Sequence, residues 1–113
     1  MIVAAAVEPD GHLGHSWGKA RSVVVARVEG EQVLAWQVHQ VSWDRLHDAG
    51  THGSHHARVV SFLREHRVEV VAVDHVGEGM RRMLASMGVR LVEEVHGPAR
   101  EALLAIGRAG GDA

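Results

Sequence analysis

The sequence of 113 residues lacks cysteine and tyrosine altogether. Without cysteine the chain forms no disulfide bond, no thiolate zinc site and no cysteine-held iron–sulfur cluster. The missing disulfides favour a cytoplasmic protein. No apolar run approaches the roughly 18 residues that a membrane helix needs, and Met1–Asp10 lacks the basic region of a signal peptide. We therefore expect no membrane partner and a cytoplasmic location.

An excess of charge of one sign is also missing. Twelve Lys and Arg against fourteen Asp and Glu give a net charge of −2 with neutral histidine. The basic residues are scattered, and Arg81–Arg82 is their only adjacent pair. Binding to nucleic acid requires a basic patch or stripe. The charge pattern therefore excludes a nucleic-acid partner.

Imidazole is the functional group that the chain has in abundance, with ten histidines. It is the commonest metal ligand of proteins and titrates near pH 6.5. Protonation of all ten would bring the net charge to +8. Only His39 and His66 fall well inside a predicted strand or helix. The other eight lie in or beside predicted loops: His12, His15, His47, His52, His55, His56, His75 and His96.

The apolar pattern predicts one α/β domain over residues 1–106 and a flexible tail over 107–113. Continuous or alternating apolar residues predict strands at Ile2–Val7, Ser22–Glu29, Gln32–Val41, Val68–Val73 and Val89–Val92. Helical spacing predicts three helices. The first has Ser54 as its N-cap, the second begins at Met80 and the third begins at Pro98. Ser42–Gly53 is predicted as a polar loop. The order β-β-β-α-β-α-β-α implies a sheet with helices on both faces.

The predicted strand directions bring the histidine-bearing loops together. The first, third, fourth and fifth strands all end at one edge of the sheet, which we call the rim, and each loop that follows carries histidine. Ligand sites of open α/β sheets lie at this edge, and helix N-termini there suit anions. The metal-ligand candidates are His12, His15, His52, His55, His56 and His75. His39 is predicted on the strand surface, and His66 at the opposite end of the molecule.

Three segments together carry a resemblance to a known family. Ser16-Trp17-Gly18-Lys19-Ala20 follows the first strand, Thr51–His56 leads into the first helix, and Val68–Gly88 contains the turn DHVGEG. In this order they resemble the dinitrogenase iron–molybdenum cofactor biosynthesis family over about residues 1–106. That family has a His-Phe-Gly-Arg-Ala-like motif, a glycine- and histidine-containing loop and a Gly-Pro-Gly-like turn. Here Ser16 replaces the motif histidine, and Glu78 replaces the proline.

The resemblance implies a three-layer α/β/α fold of the ribonuclease-H type with a five-stranded mixed sheet. It also implies binding or carriage of an iron–sulfur or iron–molybdenum type cluster, with cluster donor and acceptor proteins as partners. The residues implied to contact this cofactor are Ser16, Trp17, Gly18, Gly53, Ser54, Gly77 and Gly79.

An enzymatic activity finds no support in the sequence. Two-metal nuclease chemistry needs clustered carboxylates, and Ile2–Val7 contains none. A serine hydrolase would need a nucleophile elbow, which is missing. We therefore expect a non-catalytic carrier with a histidine-rich rim. Two alternatives stay open, a metal-free pH-responsive interaction module and a simple binder of zinc, nickel or copper. The sequence also leaves open whether the protein is a monomer or a homodimer.

Overall fold

The fold is that of a computed structural model, which describes residues 1–46 and 52–111, except the side chains of residues 52, 110 and 111. In this part of the chain the strands are β1 (Ile2–Ala6), β2 (Ser22–Glu29), β3 (Gln32–Gln40), β4 (Val70–Ala72) and β5 (Arg90–Val92). The helices are α1 (Trp43–Leu46), α2 (His52–Glu65), α3 (Glu78–Ser86) and α4 (Ala99–Gly111). None of these helices is long and apolar enough to cross a membrane.

The strands form one mixed sheet in the order β3-β2-β1-β4-β5. β2 is antiparallel to both of its neighbours, whereas β1, β4 and β5 are parallel to one another. β1, β3, β4 and β5 therefore all end at the rim, and β2 begins there. The predicted α/β class, the five strands and their directions are confirmed.

The sheet is covered on both faces, as expected from β1 and β4, which are apolar at every position, and from the apolar run Val23–Ala26 of β2. Consecutive side chains of a strand point to opposite faces, so Val23 and Val24 enter different cores. On one face the core contains Leu63 of α2 and Leu84 of α3. On the other face it contains Leu103 of α4. Full burial of each leucine stabilises the fold by about 1.5–3 kcal/mol, which fixes the helices against the sheet.

Two helices begin earlier than the sequence predicted. α2 begins at His52, so Ser54 lies in its first turn and is not the N-cap. α3 begins at Glu78, with Gly77 as its N-cap. Both first turns are polar or glycine-rich, and a prediction that rests on apolar spacing has no signal there.

Two further helical segments lie where the sequence predicted none. α1 lies in the predicted polar loop and buries Trp43, but four residues are too few to show a helical period. α4 continues to Gly111, into the stretch predicted as a tail. Its Gly107 packs against β2, where an added Cβ would lie 3.0 Å from Val28 Cγ2.

Candidate functional site

One carboxylate joins two histidines at the rim. Asp74 follows β4, and its Oδ2 lies 3.2 Å from Nδ1 of His15. Its Oδ1 lies 4.0 Å from Nδ1 of His96, which follows β5. Both imidazoles are exposed. Because both face Asp74 through Nδ1, their Nε2 atoms lie on the side of the ring away from the carboxylate.

Main-chain contacts fasten the loop after β1 to the other rim loops. Ser16 forms a bridge with His75, directly after Asp74. His12 forms a bridge with Pro98, and the Leu13 N–H donates to the carbonyl oxygen of Gly97 at 2.9 Å. His12, His15 and His75 therefore lie at one edge, as the strand directions predicted.

His12 is held by an acidic neighbour. Its backbone N–H donates to Oδ1 of Asp10 at 3.0 Å, and its ring Nδ1 lies 3.4 Å from the same oxygen. The backbone hydrogen bond from His12 lowers the pKa of the Asp10 carboxyl below its usual value. Asp10 thus stays ionised beside the imidazole, on an exposed part of the rim.

His55 is buried, and its ring is fully engaged. Its Nδ1 lies 2.9 Å from an Arg58 guanidinium nitrogen, and its Nε2 lies 2.7 Å from the carbonyl oxygen of Gly18. Arginine can only donate, so Nδ1 accepts and the Nε2 proton is donated to Gly18. The predicted role of His55 as a metal ligand does not fit this structure, since neither nitrogen faces a ligand. His55 instead holds the loop that contains Ser16, Trp17 and Gly18.

His56 faces the beginning of α3. A Cβ on Gly79 would lie 3.3 Å from His56 Cε1, so glycine allows the two helices to come this close. No side chain caps α3 at Gly77, and the first N–H groups of a helix attract anions. The predicted ligand His56 and the predicted contacts Gly77 and Gly79 therefore share one part of the rim.

Trp17 belongs to the core and does not line the rim surface. It is 1% exposed, and its ring centroid lies 5.2 Å from that of Trp43 in an edge-to-face arrangement. The direct contact of Trp17 with a cofactor stays a prediction, since in this structure the ring is packed in the core. The sequence contained no sign that Trp17, in a loop, would be buried against a second tryptophan from α1.

Some of the predicted residues carry no side-chain description. His47 lies outside the described residues. His52 is the first residue of α2, and only its backbone is described. Gly53 and Ser54 lie in the first turn of α2. Within residues 1–46 and 52–111, no three His, Asp or Glu side chains are close enough to hold one metal ion together.

A polar cavity adjoins the rim histidines. It has a volume of about 300 Å³, and beside His15 its charged lining consists of two bases, Lys19 and Arg21, and two acids, Glu8 and Asp44. A larger groove of about 360 Å³ lies between β5 and α4 and shares His96 with the rim. The larger groove is mainly apolar, so the smaller cavity is the one that offers charged partners of both signs to a polar ligand.

Comparison with known proteins agrees with this architecture. The family described as dinitrogenase iron-molybdenum cofactor matches residues 1–108. The chain belongs to this family. Among solved structures, the crystal structure of PH0822 is similar, with a TM-score of 0.76 and 23% sequence identity over 96% of this chain and 90% of that chain. It supports the fold. No functionally curated protein matches the sequence.

This family member has a second histidine group, which the sequence did not reveal. The rings of His39 and His66 lie 4.4 Å apart, and both lie against Phe62. His39 is therefore half-buried and not a surface residue, and His66 is not isolated at the opposite end. Burial, followed by the neighbouring His66, lowers the pKa of His39. The spacing of residues on β3 and α2 contained no sign that these two elements meet here.

His96 was predicted at the rim but not among the ligands, and the structure brings it beside His15. The position of His96 after the fifth strand could have predicted that it lies near Asp74, because Asp74 follows the adjacent parallel strand. Residues that directly follow neighbouring parallel strands come together at the same edge. This rule identifies His96 as well as it identifies His75.

Proposed function

We propose that the protein binds a preassembled metal–sulfur cluster of the iron–molybdenum type at the rim and passes it on without catalysis. Membership of the family connects the chain with the biosynthesis or binding of this cofactor. Donor and acceptor proteins in the cytoplasm would be the partners of such a carrier. The cluster is then cargo and not a resident cofactor.

The observation that carries the proposal is the position of Asp74 between His15 and His96. Histidines that bind metals usually have their second ring nitrogen hydrogen-bonded to a carboxylate or carbonyl, which fixes the ring and increases its basicity. Asp74 does this for His15 at 3.2 Å, and His96, from a different loop, lies 4.0 Å from its other oxygen, at ion-pair distance. Their Nε2 atoms are then the metal-facing atoms.

The chemistry of the rim favours a cluster over a single ion. A structural zinc ion takes four protein ligands and a catalytic one takes three, and no such group is present among the described residues. A preassembled cluster already has most of its ligands and needs few from the protein. Lys19 and Arg21 beside the rim can contact its negative charge, although Glu8 and Asp44 line the same cavity. The exposure of the histidines would allow transfer to an acceptor.

The test is anaerobic loading with a preformed iron–molybdenum–sulfur cluster, followed by gel filtration and metal analysis. The rim variant is His15→Ala/His75→Ala/His96→Ala, and the control is His39→Gln/His66→Gln, which removes imidazoles elsewhere. We expect metal bound to the rim variant to fall at least about tenfold, equivalent to 1.4 kcal/mol of binding free energy. The control should load like the wild type.

Equal loading of the rim variant and the wild type would refute the proposal. The same proteins should also be tested with zinc, nickel and copper ions by thermal denaturation, because a bound ligand raises the melting temperature. A large increase with a divalent ion that the rim variant loses would favour the simple metal binder instead.

A further inference from the structure

β3 is a long edge strand whose one irregularity is a register shift at Leu34, between its pairs with Arg27 and Val28. It is nine residues long, QVLAWQVHQ, and contains no charged residue and no proline. Within the described residues no strand pairs with its outer side. Natural edge strands are commonly short or carry charges or proline, which prevents association. The opposite edge follows that rule, because β5 has three residues and begins with Arg90. We propose that β3 pairs with β3 of a second copy, forming a homodimer with a continuous ten-stranded sheet.

The face of β3 on the α4 side carries apolar side chains that the monomer leaves uncovered. Leu34 is 52% exposed and Val38 is 53% exposed. Trp36 is half-buried, with the Arg100 guanidinium 5.9 Å from its ring centroid. A cavity of about 210 Å³ lies beside Trp36 and Val38. Removal of this strip from water would favour association.

The strand is complementary to itself, which identifies the occupant as a second copy. In an antiparallel pair with its two-fold axis at Trp36, Trp36 lies opposite the partner's Trp36. Leu34 then lies opposite the partner's Val38, whereas the register shift at Leu34 moves Gln32 out of direct alignment with the partner's Gln40. Cross-strand pairs of aromatic and apolar residues each contribute about 0.2–1 kcal/mol. Binding of a different protein would not require the residues on the two sides of Trp36 to match each other in this way.

The charges near the two ends of β3 are compatible with the antiparallel arrangement. At the turn before β3, Glu29 pairs with the N-terminal amine and Glu31 lies 3.9 Å from Arg108. Near the other end Asp44 lies next to Arg45. A two-fold axis therefore brings together ends of balanced charge, without like-charge repulsion. Such an isologous contact closes as a dimer and does not extend to a filament.

The size of the contact predicts a dimer of moderate affinity. A nine-residue strand is about 30 Å long, and pairing adds main-chain hydrogen bonds along it. Stable interfaces bury about 800 Å² on each partner, and one strand with its apolar strip lies at the low end of that range. We therefore expect association in the micromolar range.

Sedimentation velocity of the whole protein between roughly 1 and 200 µM tests the dimer. The wild type should shift from monomer to dimer over this range. Leu34→Lys/Val38→Lys should stay monomeric, because two lysines per copy face each other across the two-fold axis. Ala85→Lys, which places a lysine at an exposed position of α3 away from β3, should dimerise like the wild type. Circular dichroism checks that each variant is folded.

Cross-linking tests the register, since the chain has no native cysteine. Ala35 lies opposite the partner's Gln37, so a mixture of Ala35→Cys and Gln37→Cys should form a disulfide-linked dimer under mild oxidation. Each variant alone should form at least several-fold less. A wild type that stays monomeric, or a dimer that survives Leu34→Lys/Val38→Lys, would overturn the proposal. Equal cross-linking of the single variants would overturn the register. The result is independent of cluster loading.

Discussion

At the scale of single residues, the histidines divide into three groups with different surroundings. His15 and His96 are exposed and share Asp74. His55 is buried and hydrogen-bonded through both ring nitrogens. His39 is half-buried and packed against a second imidazole. In this protein histidine therefore has three roles: a candidate metal ligand, a buried residue that holds a loop, and a partly buried titratable group.

The buried imidazole of His55 should contribute strongly to stability. His55→Ala removes a ring that is 3% exposed and leaves the Gly18 carbonyl without its donor. Loss of the packing and of the hydrogen bonds should lower the free energy of unfolding by about 2–4 kcal/mol. Urea denaturation measures the effect. His15→Ala, at a side chain that is 89% exposed, should change it by less than about 0.5 kcal/mol, and equal effects of the two substitutions would contradict the assigned roles.

His39 should make stability depend on pH. Its pKa in the folded protein lies below the ordinary value of 6.5, because of burial and then His66, while Glu65 acts in the opposite direction. The unfolded chain therefore takes up a proton first, and stability falls as the pH drops below about 6.5. His39→Gln should make the decrease in unfolding free energy between about pH 7.5 and pH 5 shallower. Urea titrations of both proteins across this range measure it, and identical slopes would show that His39 has no part in it.

The limits of sequence-based prediction differ among these residues. His75 and His96 could be placed because each lies within a few residues of the end of a parallel strand, β4 or β5, whose end is fixed by the sheet. The burial of His55 could not be predicted, since it depends on Gly18 and Arg58 meeting across two elements. The burial of Trp17 could not be predicted either. It depends on contact with Trp43, which lies in a helix too short to show a helical period.

At the scale of the elements, the apolar spacing located every strand and the three long helices. α3 illustrates why, since Met80, Met83, Leu84 and Met87 lie at i, i+3, i+4 and i+7. Its end is equally well defined, because Gly88 has a φ of +73° and its N–H donates to the carbonyl oxygen of Ala85. The predicted start of α2 was three residues late and that of α3 two residues late, because polar first turns carry no apolar signal.

The contact between α4 and β2 should tolerate no side chain at position 107. An alanine Cβ there would lie 3.0 Å from Val28 Cγ2 and 3.3 Å from the carbonyl oxygen of Gly30. Overpacking costs about 1–3 kcal/mol, which exceeds the roughly 1 kcal/mol that alanine gains over glycine in a helix. Gly107→Ala should therefore lower the midpoint of urea denaturation.

The control for this prediction is Gly77→Ala, because no atom lies within 4 Å of a Cβ added at Gly77. Its backbone, with φ −74°, suits any residue. We expect a change below about 0.5 kcal/mol. A stabilising effect of Gly107→Ala would mean that α4 packs less closely against the sheet than described.

At the scale of the whole molecule, the central feature is the convergence of separate loops on one edge of the sheet. Topology made this predictable, because three parallel strands and the end of β3 must point the same way. What topology could not supply is which imidazoles share a carboxylate. Asp74 decides this, and its role depends on side-chain distances that no spacing rule contains.

The most direct measurement is amide chemical-shift mapping by NMR during anaerobic addition of the iron–molybdenum–sulfur cluster. Loss or shift of signals is expected in the rim segments 10–18, 74–79 and 94–98. Signals at the opposite edge, around Gly30, Arg67 and Gly88, should stay unchanged. Changes concentrated at that opposite edge, or no change at the rim while the protein retains the cluster, would contradict the assignment of the rim as the binding site.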